Sequence, residues 1–207
     1  MKFSPVNAQS PLILASASPR RRHLLSQIGL PFRVIKSNVS ETNTGADPER
    51  LCRVLAEKKA LRVYPETEAS WILGADTVVA IEDSILGKPE DDGDAMRMLD
   101  FLSGKEHRVI TGFCVLNPTG AIAHTEAVTT FVRVKKLARK EIKAYVATGE
   151  PHGKAGSYAI QGIGAFMVEA IAGSYTNVVG LPLCALIKCL FSTGALETFP
   201  NRGAITV

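Results

Sequence analysis

Two periodicities alternate along the chain. Residues 12–15 (Leu12, Ile13, Leu14 and Ala15) form a short apolar run, the mark of a buried strand. Ser18 and Pro19 follow as helix cap and first helical residue, so residues 20–28 are predicted to be a helix that Gly29 closes. Residues 32–37 alternate apolar and polar and predict a strand. Residues 40–47 are polar and predict a loop. Over residues 48–63, Leu51, Val54, Leu55 and Leu61 recur at helical spacing. Residues 71–81 form a second strongly apolar stretch, broken at Gly74-Ala75-Asp76-Thr77, and Glu82-Asp83 turns it back through Ile85 and Leu86. Residues 91–102 read as an amphipathic helix capped by aspartate. Strands over 107–116 and 121–134 flank Asn117-Pro118-Thr119-Gly120, a hairpin signal. A helix over 138–148 ends at Gly149, a glycine-rich tract fills 149–165, and a buried helix covers 183–191. Strand–helix alternation with one internal hairpin predicts an α/β fold: a mixed twisted sheet with flanking helices.

Composition narrows the class. A chain of 207 residues that is 46% hydrophobic and 21% charged can bury a full core without staples and is too apolar for disorder. No apolar run reaches the roughly 18 residues of a membrane helix. Residues 1–11 lack the apolar core of a signal peptide, so a cytoplasmic protein is expected. Cys52, Cys114, Cys184 and Cys189 form no CxxC pair and read as reduced thiols packed as small hydrophobes. His23, His107, His124 and His152 are scattered without zinc-ligand spacing. The net charge of +4 favours anionic ligands without requiring nucleic acid.

Several constellations can carry chemistry. Ser16-Ala17-Ser18-Pro19-Arg20-Arg21-Arg22 lies between a strand and a helix N-terminus. Free N–H groups, the helix dipole, hydroxyls and guanidinium forks there suit phosphate. The plainer reading is a capped helix followed by solvated arginines. Asp76 interrupts an apolar strand, which is costly unless the acid is paired or holds a metal. The expected place is at or near the strand's exposed end, where α/β folds put active groups; the competing reading is a turn aspartate. Gly87-Lys88-Pro89 offers a point charge in a turn. In the glycine-rich tract, Gln161 carries both a donor and an acceptor, as reading a base edge requires, and Tyr158, Ile160 and Phe166 suggest that the tract packs down.

Taken in order, Ala15 to Arg21, Gly74-Ala75-Asp76-Thr77-Val78-Val79, Gly87-Lys88-Pro89, Lys154 to Gly162 and Gly173 to Pro182 resemble the Maf family of nucleotide pyrophosphatases, from about Leu12 to Phe191. The resemblance implies one Maf-like domain spanning residues 1–207, with two lobes around a central cleft, as in the inosine-triphosphate pyrophosphatases. It implies hydrolysis of nucleoside triphosphates to the monophosphate and pyrophosphate with a divalent cation such as Mg²⁺ or Mn²⁺. Tyr158-Ala159-Ile160-Gln161-Gly162 is similar to the branch acting on dTTP and UTP; the 7-methyl-GTP branch differs there. By the same resemblance Asp76 is the catalytic acid. Ser16, Arg20, Arg21, Lys59 (beside Lys58) and Lys88 bind the substrate. Arg20, Thr77 and Gln161 set specificity, and Asp76 with Glu41 would hold the metal. Whether Asp76 takes a proton from water or holds the cation stays open at this level. A homodimer, with no nucleic-acid or membrane partner, is the expected assembly. The alternative is a non-catalytic nucleotide- or nucleic-acid-binding regulator of cell division. Against it, aromatics are 6% of the chain, too few for a stacking platform.

Overall fold

A computed structural model describes residues 3–40, 47–67 and 69–200. These divide into two compact units. One comprises the described parts of 1–76, 111–128 and 180–207, the other 77–110 and 129–179. A seven-stranded sheet has the order β2-β1-β3-β5-β6-β7, with β4 on β3. Its strands are β1 (Leu12–Leu14), β2 (Phe32–Val34), β3 (Ile72–Ile81), β4 (Ser84–Leu86), β5 (Glu106–Leu116), β6 (Ile122–Val134) and β7 (Val168–Ala172). Parallel pairing of β1 with β2 and β3, and antiparallel pairing of β3 with β4 and β6 with β7, make the sheet mixed, as expected. The helices are α1 (Pro19–Gln27), α2 (Pro48–Val63), α3 (Asp92–Leu102), α4 (Arg139–Val146), α5 (Tyr175–Val179) and α6 (Leu183–Ser192). Among the described residues no helix is long and apolar enough to cross a membrane.

Helix starts follow local chemistry. Ser18, Asp47 and Asp91 each accept, through a side-chain oxygen, the N–H three residues on, at 3.4, 2.9 and 2.7 Å. Each thereby satisfies one of the orphan donors of a first turn. Gly29, at φ 65°, ends α1 where the sequence places it, whereas α4 stops at Val146 with Ala147 as its cap, and Gly149, at φ 73°, lies two residues beyond the cap. Asn117 Oδ1 accepts from Thr119 N and Ala121 N and, with Gly120 at φ 81°, closes the β5–β6 turn.

The expectations for β3 and for the buried face of α2 change. β3 is not broken at Gly74-Ala75-Asp76-Thr77; it runs through as one ten-residue strand, buried almost throughout. The buried face of α2 is Leu51, Cys52, Leu55, Ala56, Lys59, Ala60 and Val63, while Val54 and Leu61 are exposed. The reason is packing distance. Cys52, Ala56 and Ala60 form a ridge of small residues at i, i+4 spacing. It rests where β3 and β5 carry glycine: a Cβ on Gly74 would lie 2.1 Å from Ala56 O, and one on Gly112 would lie 2.3 Å from the Cys52 carbonyl carbon. Gly74 is therefore a seat for a helix, not a strand break. We expect Gly74→Ala to lower stability by about 1–3 kcal/mol or more, because backbone must shift to admit the methyl. A urea melt with an unchanged midpoint would show that α2 gives way freely.

The core of the first unit includes Ile13, Ala56, Ala60, Val63, Ile72, Cys114 and Leu116. Cys52, Cys114 and Cys189 are buried, as expected of packed thiols, but Cys184 on α6 is exposed. Burial first, then nearby acidic groups, pushes the Cys114 and Cys189 thiols up to about 12, which keeps them protonated and inert. In the second unit Val79, Leu99, Leu102, Val109, Val132, Tyr145 and Tyr158 share one core cluster. Tyr158 hydrogen-bonds His107 at 2.8 Å, and burial pushes that imidazole down to about 4, so it is neutral inside the core.

Candidate active site

The first unit holds five of the sequence-nominated residues: Ser16 in the turn after β1, Arg20 and Arg21 on α1, Lys59 on α2 and Asp76 on β3. β1 and β3 run parallel with Leu14 opposite Leu73, and Ala15 N donates to Leu73 O at 2.8 Å. The chain thus leaves β1 through Ser16 beside the part of β3 that leads into Asp76. Carboxyl ends of parallel strands are where α/β proteins place ligands.

Asp76 is the fifth of the ten residues of β3 and is 5% exposed. It is neither at the strand's exposed end nor in a turn. Its Oδ1 lies 2.6 Å from Lys59 Nζ, and Lys59 is 6% exposed. An acid in an apolar strand needs such a partner. α2 supplies it because the glycine seat lets the helix approach to backbone distance, and Lys59 lies one turn from Ala56 on the seated face. The neighbouring Lys58 is exposed, so Lys59 is the lysine that meets the acid.

Ser16 and Arg21 form a second buried pair. Arg21 Nη1 donates to Ser16 Oγ at 3.0 Å, and Arg21 Nε donates to the Gly180 carbonyl at 2.7 Å. Ser16 Oγ also accepts from Ser18 N at 3.3 Å. The guanidinium is thus clipped across the turn between β1 and α1, and its fork is fixed in direction. Arg20 is half-buried, and burial lowers its pKa from a height that still leaves it charged. Arg22 is exposed, so the reading of solvated arginines holds for that residue alone. The Gly180 carbonyl is a partner that residue types do not announce: a backbone oxygen 159 positions away is visible only in the fold.

The second unit holds Thr77, Lys88 and Gln161. Thr77 is half-buried, directly after Asp76 on β3. Lys88 is exposed just beyond β4, and the adjacent Gly87 carbonyl accepts from Gly156 N at 3.0 Å. Gln161 is exposed, between short 3₁₀ segments at Ala155–Ser157 and Ile163–Met167. The tract packs down through Tyr158, which is buried; Phe166 is exposed, contrary to expectation. Glu41, nominated for a metal, lies outside the described residues.

The first unit thus places a buried Lys59–Asp76 ion pair on a mixed α/β sheet, one strand from a basic turn that follows β1. The comparisons give the family. Residues 11–193 match the family described as Maf-like protein, and the chain belongs to it. It is 48% identical over 201 residues to the "dTTP/UTP pyrophosphatase" of Syntrophotalea carbinolica, covering 96% of this chain and 91% of that one. It is 49% identical to the "dTTP/UTP pyrophosphatase" of Geotalea uraniireducens (93% of this chain, 100% of that one). Identity is 50% to the protein of the same name from Geobacter sulfurreducens (89% and 97%). A solved nucleoside-triphosphatase / dITP/XTP pyrophosphatase from Mycobacterium abscessus aligns at TM-score 0.39 and 12% identity over 90% of this chain and 98% of that one, too slight a likeness to bear on the site.

Proposed function

We propose that this chain hydrolyses dTTP and UTP, with modified pyrimidine nucleotides in the same class, to the monophosphate and pyrophosphate. The observation that carries the reading is the buried Lys59–Asp76 pair at 2.6 Å, one strand from the Ser16–Arg21 turn. The near-half identity to relatives named for that activity supports the choice of substrate. In this reading the α1 N-terminus, Ser16, Arg20 and Arg21 receive the triphosphate, with Lys59 and Lys88 adding positive charge. Arg21 arrives with its fork already oriented, so binding need not order it. Asp76 receives the proton of the attacking water. Lys59 holds the Asp76 carboxylate in place on β3.

A divalent cation belongs to this reading; among the described residues no group of three or more acidic, histidine or cysteine side chains could hold one, so its ligands from the chain are limited to Asp76 and the nominated Glu41. A carboxylate has about four lone-pair sites, so the contact with Lys59 leaves Asp76 capacity for a metal. Mg²⁺ is commonly held by one or two carboxylates plus substrate phosphates. Asp76, with Glu41 as the second carboxylate, would hold the ion. When bound, the cation supplies charge neutralisation on the phosphate oxygens.

Base choice falls to Gln161, with Arg20 and Thr77 as the other specificity positions. An amide matches the O4 and N3–H edge shared by thymine and uracil, whereas cytosine presents the opposite order. A site that hydrogen-bonds a substrate edge rejects analogues whose edge leaves it unpaired. The test is pyrophosphate release from dTTP, UTP, CTP, ATP and GTP with Mg²⁺ or Mn²⁺. We expect dTTP and UTP to be turned over far faster than the other three, and Gln161→Ala to narrow the gap to CTP. Equal rates on all five, or preference for a methylated guanine nucleotide, would overturn the pyrimidine reading.

A further inference from the structure

The segment that carries Gln161 is held from beneath by two side chains outside the nominated site. Tyr145, on α4, is 2% exposed. Its hydroxyl accepts from Ala159 N at 3.2 Å and donates to Glu150 Oε2 at 2.7 Å. The same carboxylate accepts Gly164 N on Oε2 at 2.8 Å and Ile163 N on Oε1 at 2.9 Å. Backbone therefore wraps around one carboxylate. The turn from Ala159 to Gly164 is tied at its start through Tyr145 and at its end through Glu150, and Ile160, Gln161 and Gly162 arch between. The wrap is tight: a Cβ on Gly162 would lie 1.8 Å from Glu150 Oε1, so any larger residue there would push the carboxylate off its donors. Lys154 Nζ donates to the Glu150 carbonyl, which holds the start of the tract against its middle. Burial pushes the Glu150 carboxyl up, but the Tyr145 hydroxyl, the two N–H donors and Lys154 outweigh it and bring the net below the usual range. The carboxylate is therefore ionised near neutrality, as three accepted hydrogen bonds require.

We infer that Glu150, braced by Tyr145, is a positioning residue for base selection: it sets the height and direction of the Gln161 amide without touching the substrate. The inference rests on the reading of Gln161 as the group that meets the base. An exposed amide on an untethered glycine-rich turn would sample many directions, and its two faces would discriminate poorly. Glu150→Gln keeps the size of the side chain. It offers one carbonyl and one NH₂ where three donors converge, so at least one anchor is lost. Tyr145→Phe removes the hydroxyl that joins both ends.

The experiment measures kcat/KM for dTTP, UTP, CTP and ATP with wild type, Glu150→Gln, Tyr145→Phe, Gln161→Ala and the Glu150→Gln/Gln161→Ala double variant, with a thermal melt of each. We expect Glu150→Gln and Tyr145→Phe to lower kcat/KM for dTTP and UTP by about tenfold, the worth of one well-made hydrogen bond, while CTP and ATP hardly move. In the Gln161→Ala background, Glu150→Gln should add nothing to the change in the dTTP:CTP ratio, since a brace without its load has no effect on selection. If Gln161→Ala lowers the ratio but both brace variants leave it unchanged, the inference falls and base reading by Gln161 stands. If Gln161→Ala leaves the ratio unchanged, base reading itself falls and takes the inference with it. A uniform loss on all four nucleotides from both brace variants would mean that the pair only stabilises the fold, and would overturn the inference as well.

Discussion

Asp76→Asn is expected to lower kcat/KM for dTTP by about a hundredfold or more, through loss of the proton acceptor or cation ligand. It should also cost stability, because the carboxylate charge that faces Lys59 at 2.6 Å in a buried pair is removed. Taking away one member of such a pair commonly costs about 3–5 kcal/mol, more than most surface changes. The two effects separate by design. A thermal melt fixes the temperature at which the variant is folded, and kinetics are read there. A companion double variant, Asp76→Leu with Lys59→Met, should regain much of the lost stability, since exchanging both members of a buried pair for apolar side chains is often neutral, and should stay inactive. A folded Asp76→Asn protein within a few-fold of wild-type activity would remove Asp76 from the mechanism.

Arg21→Ala is the second large effect, and it too has two parts. Truncation takes a charge-assisted fork from the turn that receives the triphosphate. It also takes the donors that Ser16 Oγ and the Gly180 carbonyl accept at 3.0 and 2.7 Å. Loss of the phosphate contact should raise KM and lower kcat/KM by about ten- to a hundredfold, the range for hydrogen bonds to charged groups. Loss of the internal clip should cost about 1–3 kcal/mol, because two hydrogen bonds that hold the buried turn are removed together. Arg21→Lys restores the charge but not the fork, so it should rescue little. If the melt shifts while kcat/KM is unchanged, Arg21 clips the turn and does not meet the substrate.

Where local chemistry decided the structure, the sequence was readable. The capping residues Ser18 and Asp91 and the stop at Gly29 lie where their side chains or backbone freedom place them, whereas Asp47, which caps α2, reads only as the end of a loop. Where tertiary contact decided it, the pattern misled. Gly74 reads as punctuation in a strand, yet it serves as a place for a helix to rest, and only the fold brings Ala56 over it. Val54 and Leu61 fit a helical stripe, but small residues one step round the helix face the sheet instead, because a close seat admits no leucine. β7 and α5 had no signal of their own. β7 shows no alternation, since four of its five residues are exposed, and it exists by pairing with β6. The site divides the same way. An acid in an apolar run marks itself, which is why Asp76 stands out. Its partner Lys59 is 17 residues earlier on a helix, among several other cations, and the residues alone do not pair the two. Glu150 and Tyr145 look like ordinary polar and aromatic positions until the backbone that bonds to them is seen.

Anyone seeking a more heat-resistant form of this enzyme would begin by trading glycine for alanine, which gains about 0.4–1 kcal/mol where the backbone permits by making the unfolded chain less free. At Gly87 an added methyl would meet nothing within 4 Å, and that route is sterically open. At Gly74 and Gly112 it is closed, since the methyl would strike the backbone of α2, the helix that carries Lys59. Selection for thermal tolerance and selection for turnover thus act on the same two positions, and neither can be relaxed there without loss of the other.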